Sequence, residues 1–158
     1  MIAVHPHHSF LSHEDIISLG PINAVEIFNG VADCVDKGDS WYVADLLFQR
    51  QRHYLITAAD DAHFESFRKD FGLGWIWVKS EGLSPEAVMA AMRAGSYYAS
   101  TGPTIEDVKI IPPDTVEVQC SPASRIMMVG ADGESKGVEG EGITEGRMTR
   151  NWPSPWMR

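Results

Sequence analysis

The sequence predicts an α/β fold, followed by a small antiparallel β piece and a disordered tail. Three observations predict it. Apolar runs of strand length alternate with runs at helical spacing across the first hundred residues. The run 73–78 is apolar on both faces, with Trp75 and Trp77 on one side and Ile76 and Val78 on the other. A strand of that kind belongs inside a parallel sheet covered by helices. After Pro103 the pattern changes to short β-type runs separated by Pro-Pro-Asp and Ser-Pro, and residues 131–158 are rich in Gly and Glu.

The elements follow in order. Ile2-Ala3-Val4 is a short strand ending at His5-Pro6. Ser12 caps a helix, with Asp15 three residues on to complete a capping box and Leu11 and Ile16 placed as a hydrophobic staple. Gly20-Pro21 stops that helix. Residues 24–28 form a strand closed by Asn29-Gly30, and 31–40 are polar and loop-like. Val43, Leu46 and Leu47 mark a helix over 41–51, and 54–58 is the next strand. The clearest helix is 85–94, with Ser84 as cap, Pro85 in the first position, Leu83 stapled to Val88, and Val88, Ala91 and Met92 as its buried stripe. Runs at 105–111, 115–119 and 125–129 make the antiparallel piece. The expected organisation is therefore 1–103, a small β appendage at 104–130, and a tail at 131–158.

Composition bounds the function. The chain has 158 residues, 44% hydrophobic and 22% charged, which suits one globular core. Net charge is 13 − 22 = −9 with neutral histidines. That argues against nucleic acid, whose backbone calls for a basic face. It leaves room for a small phosphorylated substrate, because bound cations can supply local positive charge. No run of about 18 apolar residues suggests a membrane span, and no secretion signal precedes the first strand. Cys34 and Cys120 are isolated, so two free thiols in a reducing cytoplasm are expected.

The chemistry is concentrated in Ala58-Ala59-Asp60-Asp61-Ala62-His63. On an extended backbone Asp61 and His63 point to one side, with Cα atoms roughly 6.5 Å apart. A carboxylate and a neutral imidazole together suit zinc, manganese or iron. Asp60 is placed to orient a ligand or to cap the loop. Glu26 ends a strand and either faces the site or forms a structural salt bridge or hydrogen bond. Ser100-Thr101-Gly102-Pro103 has the composition of a tight turn that could also contact phosphate. Trp75 and Trp77 read as packing residues.

In their order and spacing, VHP at 4–6, VEIFNG at 25–30, AADDAHF at 58–64 and GSYYASTGP at 95–103 resemble a known family. The resemblance is to the C-terminal half of polymerase and histidinol phosphatase (PHP) domains, which are metal-dependent phosphoesterases. It covers about residues 2–130. It implies a distorted (β/α) barrel with a metal cluster at the carboxyl ends of its strands, of which this chain would supply part. It also implies His5, Asp61 and His63 as metal ligands, two or three divalent ions in a complete site, and hydrolysis of phosphate esters. A barrel of this kind needs roughly 250 residues, and the family's early ligands have no counterpart here. The expectation is therefore a truncated form that pairs with itself or with a missing N-terminal half. The alternatives are a non-catalytic remnant acting only as a binding or self-associating module, and hydrolysis of amides or other esters. A competing placement makes His5-Pro6-His7 the family's early His-x-His motif, with both imidazoles on one strand face.

Overall fold

The computed structural model describes residues 1–151 except 66, 68, 131 and 132. The chain divides into two compact units, Met1–Gly102 and Pro103–Arg158.

In the first unit, β1 (Ile2–Ala3), β2 (Ala24–Asn29) and β3 (Leu55–Ala59) form a parallel sheet in the order β1-β2-β3. Helix α1 (His13–Ser18) connects the first two strands. Its capping box is complete: the Ser12 hydroxyl accepts from the Asp15 amide and the Asp15 carboxylate accepts from the Ser12 amide. A helical turn, α2 (Gly30–Asp33), follows β2 directly, and α3 (Trp41–Gln49) precedes β3. Where a loop was expected from 31 onward, the Asn29 side chain accepts the Ala32 amide and starts that turn. Ile16, Ile22, Val43 and Leu47 pack with Ala3 and Val25 into the main core. Val25 thus faces the helices, and Glu26, next along the strand, faces the other way.

The β2–β3 ladder is irregular. Glu26 pairs with Thr57, but Phe28 pairs with Ala58, so β2 holds one extra residue, Ile27. This bulge alters the side-chain alternation just before the strand ends.

The remainder of the unit departs from a barrel. Strand β4 (Trp75–Val78) pairs antiparallel with β5 (Tyr97–Ser100), across α4 (Pro85–Arg93), as a separate two-stranded sheet. The expected α/β fold built on a partial (β/α) barrel is therefore corrected: strand predominates over helix, in three separate sheets. Closure needs one continuous parallel ladder, and here the ladder stops at β3 and the next pair reverses direction. The run 73–78 is likewise not a doubly covered parallel strand; Trp77 is exposed. Helix α4 has the Ser84 cap and Pro85 in its first turn, but no residue of it is fully buried. The Leu83–Val88 staple is absent, since Leu83 is 99% exposed.

The second unit is one antiparallel sheet of β6 (Ile105–Ile111), β7 (Thr115–Val129) and β8 (Ser135–Thr149), in that order. The expected break between 115–119 and 125–129 is only an irregularity within β7, where Pro122 lacks the amide the ladder needs. The disordered tail is corrected over 135–149, which pair with β7 from end to end. Composition misled because the charges have cross-strand partners: Arg125 Nε lies 2.8 Å from Glu139 Oε1, and Arg147 contacts Glu117. Met128 and Met148 are buried with Val116, Val118 and Ile126 around them. The part of the tail at 131, 132 and 152–158 lies outside the described residues. Among the described residues, no helix is long and apolar enough to cross a membrane.

Ile16 is 0% exposed at the centre of the first core. Ile16→Ala is expected to cost about 2–5 kcal/mol, because the lost packing leaves a cavity that backbone relaxation only partly fills. Urea unfolding that shows a loss below about 1 kcal/mol would assign the core elsewhere.

Candidate metal centre at the carboxyl ends of the parallel strands

Three neighbouring strands end at one place. His5 follows β1, Asn29 closes β2, and Asp60 and Asp61 follow β3. The centre of the cluster is Glu26, 4% exposed, whose Oε2 accepts the His5 amide at 2.6 Å and the Asn29 side-chain amide at 3.0 Å. The same Asn29 nitrogen lies 3.3 Å from Asp61 Oδ2. Asp61 Oδ1 in turn faces His63 Nε2 at 3.8 Å. A chain of polar contacts therefore runs from His5 through Glu26 and Asn29 to Asp61 and His63.

The bulge at Ile27 makes this chain feasible. In a regular strand, residues three apart point to opposite faces. With one residue accommodated in the bulge, Glu26 and Asn29 reach each other. Asn29 is 1% exposed and uses its carbonyl oxygen on the Ala32 amide, so its NH2 group must point toward the two carboxylates.

Asp61 and His63 meet, but not as an extended pair. The strand ends at Ala59, and Asp61 has φ 54°, a left-handed conformation uncommon outside Gly. The loop beyond is held by carboxylates binding backbone. Asp60 accepts from the Gly72 amide at 2.7 Å on Oδ2, and from Leu73 at 2.7 Å and Gly74 at 2.8 Å on Oδ1. Asp70, 1% exposed, accepts the His63 amide at 2.8 Å. Gly74 lets this segment lie against β2, since a Cβ there would sit 2.6 Å from the Phe28 ring. Of the two roles considered for Asp60, the geometry displays the loop clamp.

His5 and His7 do not share a strand face. His5 has φ 33°, and the Ser9 amide bonds back to its carbonyl, closing a turn. The His5 Nδ1 lies 2.8 Å from Ser9 Oγ, and the ring meets His8 edge-on at 5.7 Å. His7 Nδ1 donates to the Asp39 carbonyl. The early His-x-His placement therefore lacks its geometric basis. His7 and Phe10 line a cavity of about 830 Å³ with Leu11, Asp39, Tyr42 and Leu46. Ser100 is buried, and its hydroxyl accepts the Gly102 amide, as in a tight turn.

The carboxylates differ electrostatically. Burial raises the pKa of Glu26; the Asn29 and His5 hydrogen bonds and the His5 charge oppose this, and nearby Asp61 adds to it. Burial also pushes Asp60 upward, but the Gly74, Leu73 and Gly72 amides and Lys69 outweigh it and hold the group below the ordinary range. Asp70 is likewise lowered, its burial overcome by the amides of His63, Phe64 and Glu65.

The donors can be tested against a cation. A zinc ion sits about 2.0–2.2 Å from His nitrogen and carboxylate oxygen. The 3.8 Å between His63 Nε2 and Asp61 Oδ1 is within the sum of two such bonds, so both atoms can reach one ion. Among the described residues, no group of three or more His, Cys, Asp or Glu side chains is gathered for ligation. The pair fits as the nucleus of a site, with His5 attached through its backbone amide rather than its ring. Sequence reasoning missed Asn29 and Asp70. The first had a signal, since Asn before Gly-Val-Ala-Asp is a good helix cap; the second had none. Both thiols are free, Cys34 exposed and Cys120 buried. Comparison of the chain with protein-family models, curated proteins and solved structures finds no match in any of the three.

Two predictions follow from these carboxylates. Asp60→Asn turns an NH2 group toward one of three backbone amides and is expected to cost about 1–3 kcal/mol near neutrality. Because the wild-type pKa is lowered, that advantage is present above the unfolded value and fades as pH falls through the folded one. Chemical denaturation across that range would show a pH-independent difference if the clamp were unimportant. Glu26 has the opposite sign. Its folded pKa is raised, so wild-type stability falls as pH climbs from the unfolded value, 4.5, through the folded one. Glu26→Gln should remove that slope, so its stability relative to wild type improves as pH rises above the unfolded value. Parallel curves for the two proteins would contradict this.

Proposed function

We propose that this protein is a metal-dependent hydrolase of phosphate esters, as its likeness to PHP phosphoesterases implies, with the reacting centre at the carboxyl ends of β1, β2 and β3. The observation that carries the reading is the polar chain from His5 through Glu26 and Asn29 to Asp61 and His63. Open α/β sheets bind their ligands at this end of the strands. Asp61 and His63 would hold a divalent ion. When bound, such an ion lowers the pKa of a coordinated water toward about 7 and offsets charge developing on phosphoryl oxygens.

The chain's own residues prepare that site. Asn29 fixes Oδ2 of Asp61, which leaves Oδ1 directed at His63. Asp70 anchors the His63 backbone, and Asp60 keeps the following segment closed over the end of β2. The cavity bordered by His7 and Phe10 has apolar walls and four acidic residues, Glu14, Asp33, Asp36 and Asp39, against one lysine, Lys37. Those charges repel a phosphate, so the phosphate belongs with the cation rather than in this cavity. The donor count favours a second reading, a module that binds without turnover, because catalytic zinc generally has three protein ligands and this pair supplies two.

Calorimetric titration with zinc or manganese is expected to show one ion per chain, weakened at least about tenfold in Asp61→Ala and His63→Ala. Turnover of p-nitrophenyl phosphate should fall with it. Binding without turnover supports the second reading. Absence of binding, or variants that bind as well as wild type, overturns the proposal.

A further inference from the structure

The second unit has two outer strands of different character. Strand β8 carries four glycines and three glutamates, a composition that resists pairing with another chain. Strand β6, Ile105-Glu106-Asp107-Val108-Lys109-Ile110-Ile111, is short, rich in β-branched residues and flanked by Pro103 and Pro112. It pairs with β7 on one side only. Its side chains are open to solvent: Ile110 is 73% exposed and Val108 48%, although their neighbours across β7, Val116 and Val118, belong to the apolar cluster around Met128 and Met148. The apolar face of the sheet therefore runs out to its edge without being covered there.

The order of charges along β6 is self-complementary. When two copies pair antiparallel with Val108 opposite Val108, Asp107 of each faces Lys109 of the other, within the stretch 107–111 that keeps a regular register against β7. In a register moved to centre on Lys109, like ammonium groups oppose each other; centred on Asp107, like carboxylates do. The prolines at both ends limit further slippage, since neither can donate to a ladder. Directly opposed unlike charges stabilise a sheet and like charges weaken it. In the single chain Asp107 Oδ2 and Lys109 Nζ lie 3.5 Å apart, so both are already on one face.

We propose that β6 is a self-association edge: two copies of this chain join β6 to β6 around Val108 into a continuous six-stranded sheet, with reciprocal Asp107–Lys109 pairs. The interface is independent of the proposed metal centre and of any turnover there.

The test is a charge exchange read by sedimentation velocity. Wild type should dimerise. Asp107→Lys and Lys109→Asp should each weaken self-association by about tenfold or more, since two pairs become repulsive at once. Mixing the two single variants should restore a dimer, because a chain with two lysines at these positions meets one with two aspartates. That mixture separates pairing between chains from effects within one chain. Far-UV circular dichroism checks that each variant is folded. In a Cys34→Ser background, which removes the exposed thiol, Val108→Cys should cross-link into a covalent dimer on mild oxidation, a product the background variant alone does not give. A monomeric wild type across the micromolar range, single variants that dimerise as well as wild type, or a mixture that stays monomeric would each overturn the proposal.

Discussion

An extra residue in β2 sets the geometry of everything at the carboxyl end of the parallel sheet. Without the bulge at Ile27, Glu26 and Asn29 would project to opposite faces, and the buried carboxylate would face its surroundings without the amide it binds. An ionised carboxylate taken out of water costs several kcal/mol, and each hydrogen bond to it returns about 1.5–3 kcal/mol. Glu26 has two such donors, the His5 amide and the Asn29 amide. That falls short of full compensation, and its pKa remains raised. Asp60, less deeply placed and bound by three backbone amides, has its pKa lowered. Asp70 is only 1% exposed, yet amides from His63 to Glu65 lower it too. The balance of donors against burial thus decides the sign at each carboxylate.

This balance assigns the acids different work. Asp60 and Asp70 stay ionised and act on backbone, holding the segment that carries Asp61 and His63. Glu26 holds its proton more tightly than an ordinary glutamate and sits behind the site, between the His5 turn and Asn29. Asp61, exposed and at positive φ, is aimed by the turn it occupies and by Asn29. A non-Gly residue in that region is conformationally costly, and such positions persist where the surrounding contacts over-determine them. Here those contacts are the Asp60 clamp on one side and the Asn29 amide on the other.

Local signals were the legible part of the sequence. Ser12 with Asp15, and Ser84 with Pro85, announce helices that begin at His13 and Pro85. The apolar runs ending at His5, Asn29 and Ala59 do become the three parallel strands. What local pattern could not convey was pairing. Trp75 to Val78 is apolar on alternate sides in any sheet, and nothing in its composition says that Tyr97–Ser100 will lie antiparallel beside it. The bulge at Ile27 is similarly silent, because a period-two pattern reads straight through it. Residues 135–149 looked too charged and too glycine-rich to order, yet Arg125 and Arg147 on the preceding and same strands answer Glu139 and Glu117. Asp61 and His63 were rightly singled out as neighbours, but for the wrong reason: a left-handed turn, not an extended backbone, brings them together.

The donor arrangement also constrains what kind of cation site the proposed centre could be. A structural zinc is closed by four protein ligands and contributes directly to folding. At the end of β3 the described residues offer a two-donor nucleus on exposed side chains, while the buried polar groups behind it are engaged with one another. The first unit has its own apolar core around Ile16 and Leu47. A cation held by Asp61 and His63 would keep coordination positions for water and for oxygens of a ligand. Openness of that kind belongs to sites that exchange what they hold, which is why a reading based on ligand chemistry fits this end of the sheet better than one based on stability.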